Sequence, residues 1–530
     1  MNHKVYLLKT KMIFSTALMA LVTAVVGFSI FLRGFFYIYE ESKIALAAFN
    51  YKVDYARFNN QELLASVLSA LNDRPEKKAP AQSVNGNADS LPVLVYHGIV
   101  KKPNGTDVTL ETFREQMFAL KKAGYQTVTS ADFLEFVNGR KKLPAKSFLL
   151  TFDDGRKNSY YPVDPILKAL DYSAVMFVVT RYSLVKESGP FYLSLAELKN
   201  MVKSGRWEMQ VHTRDGHTFY SVDANGLPGH FYGDKLWRFQ DNRLETDEEF
   251  RNRIADDFLA AYKDMKNLLG ISATMFAYPF GDYGHISRNF PDAEKVVKYE
   301  TSRVYPAAFY QTWIGEGFTT NFPNPDQYLK KRLDVRPHWT ADYLLSMLQS
   351  GEKKSLPYSD SFTAPEKNNW ITMLGTGDFS ESDLVLRATE ANDSGGTLLN
   401  GSYLWQDYKI EASVNWQRGS HVSVLSRVRD PENYVSCDIN SDRVFIRQRV
   451  NGRDQTLASS RHLPIANYSN LSVGMRVYRG EATCYINGAP VAFTAQIAPS
   501  FMKGGGGFKV WDEKHGNAEL ILHGIRVDEI

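Results

Sequence analysis

Two adjacent carboxylates, Asp153 and Asp154, close the apolar run of "SFLLTFDDG", and two histidines, His212 and His217, close a second run in "WEMQVHTRDGH". Two neutral imidazoles and one carboxylate form a facial set that suits zinc or another divalent transition metal and leaves coordination positions open. A second carboxylate beside that set can accept a proton from water. These are the parts of an amide or ester hydrolase. Asp-Gly after an apolar strand is by itself an ordinary turn signal. The turn does not account for the ordered histidine pair, or for "YPFG" (Tyr278–Gly281), which follows a third apolar run.

Groups this far apart in sequence need a scaffold that gathers strand ends. From Leu91 the chain alternates short apolar strands with amphipathic helices. "LPVLVYHGI", "KSFLLTFDDG", "SAVMFVVT", "WEMQVHT" and "TMFAYPFG" read as strands. Between them, "TLETFREQMFALKKAGY" starts on a Thr cap and stops at Gly124, and "SLAELKNMVKSGR" starts on Ser194. "DEEFRNRIADDFLAAYKDMKNLLG" predicts a longer helix. Repeated strand–helix units predict a parallel sheet or barrel with its functional groups at the carboxyl ends of the strands. The pattern fades near "ADYLLSMLQSGEKKSLPYSD", which sets a domain of 91–360.

Over residues 91–349 the chain resembles the polysaccharide deacetylases of carbohydrate esterase family four, and within them the bacterial poly-N-acetylglucosamine deacetylases of biofilm systems. "TFDDG" matches the first family motif, which implies Asp153 as catalytic base and Asp154 as metal ligand. The histidines of "HTRDGH" stand five apart instead of the four of most members, a spacing the biofilm subgroup uses, which implies His212 and His217 as ligands. "YPFG" matches the third motif and implies that the Phe280 N–H binds the oxyanion, with Tyr278 and Pro279 beside the substrate. "VLVYHGI" and "LKNMVKSGRWEMQVHT" match as well, and His97 of the former is expected to line the site. Two departures stand out. Many members carry arginine where this chain has Ala277, and the late histidine segment that supplies a general acid is missing, leaving His338 of "RLDVRPHWT" as the candidate. Asp215, between the histidines, is an alternative ligand. The resemblance implies a distorted (β/α) barrel and one divalent ion, zinc or else cobalt, nickel or iron. It also implies release of acetate from an N-acetylated polysaccharide, with an exopolysaccharide synthase or export complex as partner. An O-acetyl esterase or a peptidoglycan deacetylase would use the same centre.

Residues 361–530 have a different texture. "DYKIEASVNW", "HVSVLSRV", "NYVSCDI", "RVFIRQRV" and "ATCYINGAPV" are strand-like, and "VNGRD" and "INGAP" are Asn-Gly hairpin signals. They predict an antiparallel β-sandwich, similar in phrasing to concanavalin-like lectin and glucanase domains. Trp405, Tyr408, Trp416, Tyr434 and Trp511 are the candidates for stacking on sugar rings. No paired glycosidase carboxylates stand out, so binding or scaffolding is expected here, and a carbohydrate-binding surface protein with weak catalysis is the rival reading. Cys437 and Cys484, the only cysteines, exclude a cysteine-rich zinc site and either pair or stay as buried thiols.

At the other end, Met12–Leu32 is an uncharged run of 21 residues preceded by Lys4, Lys9 and Lys11. Its length and flanks predict a single-pass membrane anchor (1–36) with the rest of the chain outside the cytoplasm. A helical stalk and a Pro-, Asn- and Ser-rich linker fill 37–90. A net charge of +3 over 530 residues gives no nucleic-acid footprint.

Overall fold

The computed structural model describes residues 23–28, 31, 34, 38–39, 41–60 and 86–530, apart from 187–188, 313–316, 363–368, 381, 390–393, 463, 466 and 514–515. Residues 12–22 of the expected anchor and 61–85 of the stalk and linker lie outside that set. Among the described residues no helix is long and apolar enough to cross a membrane. Residues 41–60 are helical and group with Tyr160–Tyr172, which carries the short helix Asp164–Leu170, as one compact unit. The second unit holds Pro80–Ser159 and Ser173–Ile530.

Within the second unit seven parallel strands close a barrel. They are β1 (Val93–Tyr96), β2 (Ser147–Phe152), β3 (Ala174–Val179), β4 (Trp207–Thr213), β5 (Met275–Ala277), β6 (Ala307–Gln311) and β7 (Leu329–Asp334). Each strand pairs with its neighbour in sequence, and β1 closes the ring by pairing with both β7 and β2. β2 and β3 are buried along their whole length, as expected of strands covered on both faces. Leu149, Val175, Phe177, Met275, Ala277 and Phe309 share one buried cluster. The two helix caps expected from sequence form, Thr109 accepting from the Thr112 N–H and Ser194 making a full capping box with Glu197, and Thr246 makes a further box with Glu249. Among the described residues, the connection from β6 to β7 carries no helix.

Two antiparallel sheets form the sandwich. Tyr358–Asp360 already pairs with its last strand, Glu519–Glu529, so the sandwich begins ahead of the expected 360/361 boundary. Asn451-Gly452 and Asn487-Gly488 both take positive φ at the tips of hairpins, the backbone that type I′ turns require. Cys437 and Cys484 pair as a disulfide, with Cα atoms 5.8 Å apart. They belong to strands of different sheets, so the bond ties the two layers together. The five aromatic candidates divide here. Trp405, Tyr408 and Trp416 lie in the sandwich core, and Tyr434 is buried in a second apolar cluster. Only Trp511 is partly exposed, and His421 stacks on it with centroids 3.9 Å apart.

Candidate metal centre

The carboxyl ends of β2, β4 and β5 bring together the residues that the sequence singles out. Asp154 follows β2 in the left-handed region (φ 73°) and Gly155 continues the turn with φ 71°. A non-glycine residue held there is strained, and such strain concentrates at functional sites. Asp154 Oδ1 lies 2.9 Å from His217 Nε2 and 3.5 Å from His212 Nε2. One ligand atom from each of the three residues lies within 4.8 Å of the others. His212 Nδ1 is 2.7 Å from the Ala277 carbonyl, so that nitrogen donates and Nε2 keeps its lone pair toward the site. Burial lowers the His212 pKa to about 4, which keeps the ring neutral. Burial also acts to lower the His217 pKa, but the Asp154 carboxylate outweighs it and raises the value. Asp154 Oδ1 is buried without a hydrogen-bond donor, as an oxygen reserved for a cation would be. The three residues thus fit a divalent ion. Asp215 does not join them: its carboxylate is engaged by Arg181.

Asp153 points elsewhere. The fully buried Arg332 of β7 grips it with two parallel bonds of 2.6 and 2.7 Å. The guanidinium itself rests over Phe177 at 5.3 Å and Phe309 at 5.9 Å. Burial would raise the Asp153 pKa, but Arg332 outweighs it and holds the carboxyl below its usual range. Interior Ala277 of β5 occupies the position where many family members have arginine, so here the cation comes from a different strand. Two residues on, Asp334 Oδ1 stands 3.9 Å from His97 Nδ1 at the end of β1. Period-two geometry explains the pair: Arg332 and Asp334 leave one face of β7. His97 Nε2 is 3.5 Å from the Gln311 amide nitrogen.

Phe280 also takes a left-handed φ (59°), inside the Pro279–Gly281 turn. Its ring stacks against His217, His230 and Phe219, at centroid distances of 5.1, 4.9 and 5.1 Å. Tyr278 and Pro279 are both buried. The Tyr278 hydroxyl donates to Thr301 Oγ1 at 2.8 Å, so its buried side chain ties the turn to helix Ala293–Ser302. His338 is exposed in the segment after β7, four residues past Asp334, and stands outside the cluster.

Four supporting residues were not foreseen from sequence: Arg332, Asp334, Asp107 and Asp257. Asp107 holds Arg156 through bonds of 2.9 and 3.2 Å and accepts from the Gly98 N–H. Arg156 Nη1 in turn stands 4.0 Å from Asp154 Oδ2. A Cβ at Gly98 would run into Arg156 and Asp107, which gives "YHGI" its glycine. Asp257 is buried on helix Asp247–Asp264 and takes the N–H groups of Arg214 and Asp215 at 3.1 and 2.7 Å. It also accepts from the Thr213 hydroxyl at 3.0 Å, pinning the loop that carries His217. The one signal available for β7 was the run of charges in "LKKRLD", in which Arg332 and Asp334 stand two apart.

The polysaccharide deacetylase family model matches residues 140–295. A poly-beta-1,6-N-acetyl-D-glucosamine N-deacetylase of Escherichia coli is 27% identical over 191 residues, 34% of this chain and 28% of that protein. Its namesake from Staphylococcus aureus is 32% identical over 137 residues, 25% of this chain and 46% of that one. The chain therefore spans less than half the length of either relative. Among solved structures, a de-N-acetylase from Aggregatibacter actinomycetemcomitans aligns over 48% of this chain and 99% of its own, with 21% identity and a TM-score of 0.41. Residues 140–295 thus belong to a polysaccharide deacetylase domain.

Proposed function

We propose that the protein is a metal-dependent N-deacetylase of an N-acetylglucosamine-containing exopolysaccharide, acting at the cell envelope. The observation that carries this reading is the division between two adjacent acids: Asp154 faces His212 and His217, while Asp153 is ion-paired to Arg332. Asp154, His212 and His217 would hold the ion, which when bound supplies Lewis acidity toward water and the acetamide carbonyl. Asp153, kept ionised by Arg332, takes the proton of the attacking water. The Phe280 N–H is assigned to the oxyanion that forms on the carbonyl oxygen. His97, whose Nδ1 lies 3.9 Å from Asp334 Oδ1, takes the place of His338 as the donor of a proton to the departing amine. Acetate and a free amine result, and each turnover turns a neutral sugar unit cationic.

The apolar run Met12–Leu32 with its lysine flank supports a membrane anchor with the catalytic part outside the cytoplasm. The inter-sheet disulfide supports the same side, because such bonds persist in oxidising compartments. Protease treatment of intact cells tests this placement, and full protection of the barrel would refute it.

Acetate release from N-acetylglucosamine oligomers, measured beside metal content, tests the chemistry. Asp153→Asn should keep about one ion per chain and lose turnover, whereas Asp154→Asn should lose the ion itself. Equal metal loss in both variants, or full activity in either, would overturn the assignment. An acetate-ester surrogate cleaved in preference to the amide would reassign the substrate to O-acetyl groups.

A further inference from the structure

Soon after His217 the chain makes a small antiparallel hairpin, Phe219–Ser221 paired with Pro228–His230. Phe219 and His230 stand directly opposite each other in it, so their side chains leave the same face. Tyr220 leaves the other face, where its hydroxyl donates to the Asp215 carbonyl at 2.9 Å and its ring meets Phe231. The face with Phe219 and His230 lies against Phe280, and both rings are nearly parallel to it, at 18° and 13°. Phe280 in turn stacks on His217, so two ring-to-ring steps of 5.1 Å separate Phe219 from that ligand of the metal centre.

The hairpin is held at several points. Asp282 accepts from His230 Nδ1 at 2.7 Å and from the Gly284 N–H at 2.8 Å, and only 2% of its side chain is exposed. A Cβ at Gly233 would run into that carboxylate, so the glycine leaves Asp282 its place. Asp234 takes the N–H groups of His230 and Arg288 at 3.0 and 2.7 Å, and Arg288 reaches back to the Pro228 carbonyl at 3.0 Å.

Phe219 is nevertheless 56% exposed. An isolated exposed apolar side chain is ordinary on a protein surface. This one is braced by two other rings beside a metal ligand, so it needs little further ordering before something covers it. His230 adds a polar atom at its edge. With Nδ1 engaged by Asp282, its Nε2 has no partner among the described residues, and the side chain is 23% exposed. An apolar ring face next to a hydrogen-bonding edge suits a pyranose, which has an apolar C–H face and a rim of hydroxyls.

We propose that Phe219 and His230 form the subsite for the sugar unit next to the one being deacetylated, with the phenyl ring under the pyranose face and His230 Nε2 bonded to one of its hydroxyls. The proposal rests on the deacetylase reading for the identity of the sugar. It accounts for an open phenyl ring two contacts from a metal ligand, and for a buried carboxylate that orients a histidine outside the metal-binding set.

The test uses the full chain, its measured metal content and β-1,6-linked N-acetylglucosamine tetramer. Phe219→Ala should raise KM about five- to tenfold, the order expected for covering part of a phenyl side chain, and change kcat much less. Phe219→Trp, which keeps an aromatic face, should bring KM back near its original value. His230→Phe keeps a ring against Phe280 but loses Nε2, and should raise KM several-fold. An unchanged KM in Phe219→Ala or His230→Phe, loss of bound metal in Phe219→Ala, or no rescue by tryptophan would overturn the proposal, because the rings would then only brace Phe280. Should His230→Phe fail to fold, the two Phe219 variants decide alone. If the unaltered protein releases no acetate from the tetramer, the deacetylase reading fails, and the subsite is decided by calorimetry with tetramer on the Asp153→Asn protein. Binding weakened several-fold by adding Phe219→Ala then upholds the subsite, and no binding or unchanged binding overturns it.

Discussion

Asp153 and Asp154 are neighbours in the chain with opposite surroundings, and the difference is set by a residue 179 positions away from the first of them. Replacing Arg332 with Met would leave the Asp153 carboxylate buried and unpaired. Breaking such a pair costs about 3–5 kcal/mol, so urea denaturation should show a loss of that order. The acid limb of the kcat/KM profile should also move to higher pH, because the carboxyl no longer gains from a neighbouring cation. An unchanged limb would show that Arg332 does not tune the base. The sequence disclosed both acids and both histidines because each ends an apolar run. It hid Arg332 because a charged side chain in a strand is normally read as solvent-facing, and its buried partner lies on a strand two places round the barrel. His338 is the late candidate by residue type alone, and that type gives no sign that Arg332 and Asp334, two apart on β7, share one face. Another buried cation offers a pH test. Lys330 is 4% exposed, donates to the carbonyls of Asn324 and Gln327, and burial lowers its pKa to about 8. The folded protein therefore binds fewer protons than the unfolded chain between about pH 8 and its unperturbed value of about 10.4, so this group's contribution to stability rises with pH across that window. Lys330→Met should raise the urea midpoint at pH 7 and flatten the profile between pH 8 and 10.

At the scale of elements, the loop from β4 to His217 is short and its shape is imposed from outside. Asp257 collects two backbone N–H groups and a hydroxyl from Thr213–Asp215, so the helix dictates where His217 stands. Asp257→Ala should therefore weaken metal affinity about 10–100-fold, the usual range for groups that orient ligands, while His212 and His217 remain intact. A chelator competition assay measures it, and unchanged affinity would show that the loop holds itself. The helices were legible because their caps are local: Thr109 and Ser194 announce the first turn of theirs within a few residues. The Asn-Gly hairpins were legible for the same reason. Asp257 was not, since its role is visible only once the helix is packed against β4.

For the whole molecule, the division into an α/β barrel and an antiparallel sandwich follows from the change of hydrophobic period near residue 360. Which aromatics face outward does not, because tryptophan and tyrosine alternate in both core and surface strands. The disulfide joins the two sheets across a sequence separation of 47. Replacing Cys437 and Cys484 together by Ala should lower stability by about 3–4 kcal/mol, as loop-closure entropy scales, with the loss confined to the sandwich transition in calorimetry. A loss in the barrel transition alone would contradict that placement.

The ring of strands closes where the last one, β7, meets β1, and that seam has a meaning in time. A chain emerging amino end first presents Asp154, His212, His217 and Phe280 long before Leu329–Asp334 arrives. Until it does, Asp153 has no guanidinium and His97 has no carboxylate. On the proposed function, an incomplete barrel would thus hold the three candidate ligands before Arg332 and Asp334 join Asp153 and His97, so that ion uptake and turnover would be acquired at different stages of synthesis.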